Sequence, residues 1–142
     1  DDSFIRKAYA EMHLDYDAQL ASVQNYEISG EDRFCNKPIS NPRKSGEIWI
    51  EGEGVMPFSS TMCTLGAYAD FKAKGKKINV AYVFDTTRGI KLFADQAFFA
   101  VGGDAIAPFL LKSDAEAYAT KTSGKVLGFE DAVKSAVSGG ET

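Results

Sequence analysis

Residues 56–60 read Met-Pro-Phe-Ser-Ser, and residues 107–111 read Ala-Pro-Phe-Leu-Leu. Each stretch is followed by Ala-Tyr-Ala and then by Gly-Lys, at 67–69 and 75–76 in the first copy and at 117–119 and 124–125 in the second. A pattern that returns after about fifty residues indicates two similar structural units. Each copy predicts two short strands, a helix after Pro-Phe, a Gly-Lys helix end and a closing strand. The predicted fold class is therefore α+β, with two pseudo-repeated ββαβ units in one domain.

The length and spacing of the copies predict the domain organisation. A chain of 142 residues is long enough for one compact domain. We place this domain at 31–142, with unit one at about 46–85 and unit two at about 96–137. Residues 1–30 are predicted to be an added N-terminal helical segment, because apolar residues recur there at helical spacing. These residues are Phe4, Ile5, Ala8, Tyr9 and Met12.

Local patterns within the units predict individual elements. Apolar and charged residues alternate over 47–51, and a Gly-Glu-Gly turn at 52–54 makes this segment the first strand of a hairpin. Ser59 or Ser60 is expected to cap the following helix. The apolar run 78–84 predicts a central strand that is buried on both faces. Four aromatic residues are candidates for the core: Trp49, Tyr82, Phe98 and Phe99.

Composition excludes several classes of function. The net charge is −4 and the isoelectric point is near 5.0, so nucleic acid is not an expected partner. The sequence contains no apolar run of roughly twenty residues that would span a bilayer. The chain begins Asp-Asp-Ser without an initiator Met, which fits a removed signal peptide or lipid-anchor segment and fits a trimmed chain equally.

The two cysteines, Cys35 and Cys63, are open to three interpretations. In an exported protein they would form one disulfide, which stabilises a loop of this size by about 3 kcal/mol. As free thiols they would be soft metal ligands. As unreactive residues they would be small apolar parts of the core.

The order of motifs over residues 32–134 resembles that of the NosL-type nitrous oxide reductase accessory proteins. The motifs include Pro-Phe-Ser-Ser, the run from Gly75 to Asp85, Ala-Phe-Phe-Ala-Val-Gly-Gly at 97–103 and Ser-Asp-Ala-Glu-Ala-Tyr-Ala at 113–119. The resemblance implies a fold similar to organomercurial lyase and a periplasmic copper chaperone that binds Cu(I). It also implies an acceptor copper enzyme as partner, and peripheral membrane attachment through a removed N-terminal lipid anchor.

The resemblance assigns one metal ligand in this sequence and does not identify the remaining ligands. Family members carry Cys-x-Met before the first strand; here Cys35 matches the cysteine, and Lys37 stands at the methionine position. The chain's other soft donors are therefore candidate ligands for Cu(I). We predict a metal site from Cys35, Met62, Cys63, His13 and Met12. Met62 and Cys63 fall in the first turn of a predicted helix, whose N–H groups favour a thiolate.

The function predicted from sequence is that of a non-enzymatic accessory protein, which binds Cu(I) and delivers it to a copper enzyme. A Ser-His-Asp arrangement is not expected, because the only histidine, His13, lies near Asp15 without any nucleophile signature. Lyase chemistry is not expected either, because a shared fold does not carry chemistry with it. The alternative is a degenerate NosL-like fold that acts as a docking or structural subunit of a larger protein complex. The site is expected in the seam between the two units.

Overall fold

A computed structural model of the chain describes residues 30–139. The predicted N-terminal segment, with Met12 and His13, lies outside the described residues. Within the described range, no helix combines the length and the apolar character needed to cross a membrane.

The first half of the described chain forms a small hairpin and a four-stranded antiparallel sheet. The hairpin pairs β1 (Glu31–Asp32) with β2 (Lys37–Pro38), and a 3-10 turn follows at Pro42–Lys44. The larger sheet has the order β4-β3-β5-β6 and a helix between β4 and β5. Its elements are β3 (Gly46–Ile50), β4 (Gly54–Phe58), α1 (Thr61–Ala73), β5 (Ile78–Phe84) and β6 (Lys91–Phe93).

The second half forms a three-stranded antiparallel sheet and two helices. A 3-10 turn at Ala94–Gln96 leads into this sheet, which has the order β8-β7-β9. Its elements are β7 (Phe98–Gly102), β8 (Ala105–Phe109), α2 (Lys112–Lys121) and β9 (Lys125–Leu127), and the described chain ends in α3 (Phe129–Gly139).

Both sheets are connected in the same way. In each, a hairpin leads through a helix to a third strand, which pairs antiparallel with the hairpin's first strand. The hairpin turns need a left-handed backbone, which glycine provides at Gly52 (φ 82°) and Gly103 (φ 59°). The α+β fold class is confirmed, whereas the duplication and the domain boundaries stay predictions.

Alternation along β3 separates the core from the outer face of the first sheet. Ile48 and Ile50 are buried in a core that also contains α1, α3 and Phe99 of the second sheet. Trp49 points to the opposite face, as alternation requires, and 44% of its surface is exposed. Its prediction as a core residue was wrong, because periodicity identifies two faces without saying which one is covered. A smaller core lies between α2 and the second sheet.

A buried ion pair lies on the outer face of the first sheet. The carboxylate of Glu47 on β3 contacts the ammonium of Lys91 on β6, and both side chains are largely buried. The ammonium also lies 4.4 Å from the centre of the Tyr82 ring. Burial and then the charge of Glu47 raise the pKa of the Tyr82 phenol. The three side chains thus connect three neighbouring strands.

Replacing one partner of this pair should destabilise the protein. Lys91→Met leaves the Glu47 carboxylate buried without its cation, which should lower the free energy of unfolding by about 3 kcal/mol. The double change Glu47→Gln/Lys91→Met removes both charges and should recover most of that loss. Urea denaturation of the disulfide-bonded protein measures both. Equal destabilisation of the single and double variants would contradict this account.

Asp85 joins the two sheets at the end of β5. Its buried carboxylate accepts hydrogen bonds from the backbone N–H of Leu110 through Oδ1 (2.9 Å) and of Arg88 through Oδ2 (2.7 Å). The backbone N–H and the hydroxyl of Thr86 both donate to the carbonyl of Pro108, each at 2.9 Å. The turn after β5 is therefore bonded to the end of β8.

Asp85→Ala removes the acceptor of both N–H groups, so two partly buried donors lose their partner. We expect the free energy of unfolding to fall by about 3 kcal/mol in denaturant titrations. Asp104→Ala, on the exposed turn of the second hairpin, is the matched control. It should change the free energy of unfolding by less than about 0.5 kcal/mol. A loss at Asp85 no larger than the control's would refute the bridging role.

Candidate metal centre

The buried carboxylate of Asp32 organises the segment that contains Cys35. Oδ1 accepts the backbone N–H groups of Phe34 (2.9 Å) and Cys35 (2.8 Å), which closes an Asx turn. The turn leads to Asn36, which has a left-handed backbone (φ 57°), and then to β2. The chain therefore reverses between β1 and β2 and presents Cys35 at the reversal.

The second carboxylate oxygen of Asp32 binds the chain just before α1. Oδ2 accepts the backbone N–H of Ser59 at 2.8 Å and its hydroxyl at 2.9 Å. Asp32 is 0% exposed, and its four hydrogen bonds supply the partners that a buried carboxylate requires. One side chain thus attaches the Cys35 turn to the beginning of the helix that carries Cys63.

Cys63 is fixed by the N-terminal cap of α1. The hydroxyl of Ser60 accepts the backbone N–H of Cys63 at 3.1 Å, and the carbonyl of Ser60 accepts the N–H of Thr64 at 3.0 Å. Of the two serines proposed as caps, Ser60 is the one that caps the helix. The hydroxyl of Ser59 donates to Asp32, and its Oγ also lies 3.8 Å from Cys63 Sγ.

The two cysteines are joined in a disulfide, with their Cα atoms 6.1 Å apart. The bridge closes a sequence separation of 28 residues, which corresponds to about 3.5 kcal/mol of stabilisation in the loop-entropy description. Of the three interpretations open from sequence, this structure therefore contains the disulfide. In this oxidised state neither sulfur is a thiolate that could bind a metal.

The site contains a third donor group. One oxygen of Asp32 and the sulfurs of Cys35 and Cys63 all lie within 4.8 Å of one another. After reduction, two soft sulfur donors would adjoin one hard carboxylate. Because both carboxylate oxygens already accept two hydrogen bonds each, the sulfurs are the donors available for a soft ion such as Cu(I).

Only part of the predicted ligand set is brought together. The structure joins Cys35 to Cys63. Met62 packs against the main core and lines a separate cavity of about 630 Å³. Met12 and His13 belong to the part of the chain that the structure does not describe. Met62, Met12 and His13 therefore stay predictions as ligands.

The cavity lined by Met62 lies where the two units meet. It is lined by Ser60 and Thr61 of the first unit and by Ile106 and Pro108 of the second. Neither cysteine is among the lining residues. The disulfide is therefore not part of this cavity, and the expectation that the metal site lies in the seam stays a prediction.

Sequence reasoning missed Asp32 and Ser59. An Asp three residues before Cys35 is a recognisable signal for an Asx turn, so half of the arrangement could have been found. The bond from Asp32 to Ser59 spans 27 residues and has no local signature.

Comparisons with known proteins identify the family. The NosL family profile matches residues 27–137. The crystal structure of the copper chaperone NosL from Shewanella denitrificans matches with a TM-score of 0.60 and 22% identity, over 75% of this chain and 92% of that chain. At this identity the match shows a shared fold. A search of curated proteins finds no match. Because the family profile spans more than half of the chain, the chain belongs to the NosL family.

Proposed function

We propose that this chain is a periplasmic accessory protein of the copper-chaperone type. In its reduced form it binds Cu(I) through Cys35 and Cys63 and delivers the ion to an acceptor copper enzyme. One observation carries this proposal: the fold brings the chain's two cysteines, 28 residues apart, within bonding distance at the start of α1. Family membership and the similarity to a structure described as a copper chaperone support it.

The chemistry of the two sulfurs suits transport of the ion. Cu(I) is satisfied by two or three soft ligands, so a pair of thiolates holds it and leaves a position open for an incoming ligand. Transfer then proceeds by ligand exchange, in which a thiolate, thioether or imidazole of the acceptor replaces one sulfur at a time. The role requires no catalysis. Met62, beside Cys63 in sequence, is proposed as a third ligand, with Met12 and His13 as further donors.

The disulfide also supports the proposed location. Disulfides persist in oxidising compartments such as the bacterial periplasm and are rare in the cytosol. Attachment to the membrane through a removed N-terminal lipid anchor remains part of this proposal.

The alternative function is that of a docking subunit without metal. Exposed apolar residues on the outer face of the first sheet favour it. Trp49 and Val55 are cross-strand neighbours, 44% and 41% exposed, and Phe93 on β6 is 54% exposed and stacks on Tyr82. Apolar groups exposed on one sheet face are typical of protein contacts.

A Cu(I) titration separates the two functions. Under anaerobic conditions the reduced protein should bind one Cu(I) in competition with a chelator. Cys35→Ser and Cys63→Ser should each weaken binding by more than about a hundredfold, because losing a ligand exceeds the 10–100-fold effect of outer-shell changes. Met62→Leu tests the third ligand and should weaken binding by a smaller factor.

One control variant and two contradicting outcomes complete the test. Ser113→Ala, on the exposed surface at α2, should leave the affinity unchanged. Absence of binding by the reduced wild-type protein would contradict the copper function and leave the docking function. Unchanged affinity in both cysteine variants would place the metal elsewhere.

A further inference from the structure

Two independent links connect the Cys35 turn to the start of α1. One is the covalent bond between Cys35 and Cys63. The other is the Asp32 carboxylate, which accepts two N–H groups in the turn and two donors of Ser59. Since none of these four hydrogen bonds involves a sulfur atom, reduction of the disulfide removes the first link and leaves the second.

Further contacts hold the turn without the disulfide. The backbone N–H of Ile39 donates to the carbonyl of Gly30 at 3.2 Å, which closes the base of the β1–β2 hairpin. The ring of Phe34 lies over α1 at Gly66, where an added Cβ would come within 3.3 Å of it. Neither the backbone hydrogen bond nor the packing of the ring involves a sulfur atom, so neither depends on the redox state of the cysteines.

The second unit provides an internal comparison. In the segment that leads from β5 into the second unit, Asp85 accepts the N–H of the residue three positions on, Arg88, as Asp32 accepts that of Cys35. Asp85 also accepts the N–H of Leu110, the residue after Pro-Phe, as Asp32 accepts that of Ser59.

The position of the disulfide is taken by an ion pair in the second unit. Arg88 Nη1 lies 2.9 Å from Asp114 Oδ2, and Asp114 is in the first turn of α2, as Cys63 is in the first turn of α1. A buried aspartate therefore closes the equivalent turn before the second unit with no covalent bond. The same closure is available to the first unit when its cysteines are reduced.

We propose that the Cys35–Cys63 disulfide is a reversible redox gate on metal binding, and that Asp32 is the positioning residue that keeps the two sulfurs together while the gate is open. The copper part of this proposal rests on the proposed function. The positioning part concerns the thiols alone.

The gate opens by thiol–disulfide exchange with a dithiol reductant. The reductant gives two electrons and two protons, so that its own thiols become a disulfide and the Cys35–Cys63 bond becomes two thiols. Cu(I) then binds the two sulfurs with release of their protons. Oxidation by a disulfide compound reverses the first step and removes both ligands.

Asp32 acts by positioning, because the turn and the helix start are held together whether or not the sulfurs are bonded. Asp32→Asn replaces one carboxylate oxygen by an amide nitrogen, which cannot accept the two hydrogen bonds that this oxygen accepts in the wild type. The thiols then lose the proximity that favours both disulfide formation and joint binding of one ion. The Asp32→Asn variant should therefore form the disulfide less readily and bind Cu(I) less tightly.

The experiment uses two readouts on the same variants. Without metal, equilibration with oxidised and reduced dithiothreitol gives the disulfide's equilibrium constant. Anaerobic titration of the reduced protein gives the Cu(I) affinity. Asp32→Asn should shift the equilibrium about tenfold toward the dithiol and weaken Cu(I) binding about 10–100-fold, as is usual for groups that orient ligands. Glu31→Gln removes a charge from the neighbouring exposed side chain and should change each value less than twofold.

Ser59→Ala keeps the backbone bond to Asp32 and loses the hydroxyl bond. Ser59→Ala should shift the disulfide equilibrium and the Cu(I) affinity in the same direction by a smaller factor, about threefold. It replaces Asp32→Asn as the test if that variant does not fold. A dithiothreitol equilibrium equal to that of Glu31→Gln in both variants would overturn the positioning role. The oxidised wild-type protein should not bind Cu(I), and binding as tight as in the reduced protein would overturn the gate.

The two levels of the proposal fail separately. If the reduced wild-type protein binds no Cu(I), the proposed copper function and the gate both fail. The metal-free equilibrium still decides whether Asp32 positions the thiols.

Discussion

The four hydrogen bonds of the Asp32 carboxylate determine where the cysteines of this protein lie. Two of them shape the turn that presents Cys35, and two fix that turn to Ser59, directly before the helix that carries Cys63. A carboxylate buried without such partners would be strongly destabilising, so the turn and the helix start are stable only in each other's presence. The proximity of the sulfurs follows from this closure.

The turns at 32–35 and 85–88, which precede the two hairpins, use the same closure with different chemistry at one position. In the segment before the second unit, Asp85 makes the corresponding bonds, and an Arg88–Asp114 ion pair stands at the position equivalent to the Cys35–Cys63 disulfide. An ion pair exposed to water contributes little to stability, so the turn at 85–88 depends mainly on the buried carboxylate of Asp85. The first unit gains a pair of soft donors whose availability depends on the redox state.

Sequence patterns predicted the framework well and the site incompletely. The glycines of the first hairpin turn, a serine cap before α1 and the position of β5 have local causes, and each is found where the sequence placed it. The predicted burial of β5 on both faces was wrong, because Asn79 is exposed and Tyr82 is only half-buried. The core assignment of Trp49 failed, because alternation does not say which face of a sheet is covered. The Asp32–Ser59 bond and the state of the cysteines depend on contacts between residues about 27 apart, which no short motif encodes.

The central claim is that the Cys35 turn stays closed on the start of α1 when the disulfide is reduced. Amide hydrogen exchange of Phe34, Cys35 and Ser59 in the oxidised and reduced proteins tests this claim directly, because these N–H groups donate to Asp32. The account predicts that protection of all three amides survives reduction within about tenfold. Exchange at the rate of an open chain in the reduced protein would contradict it.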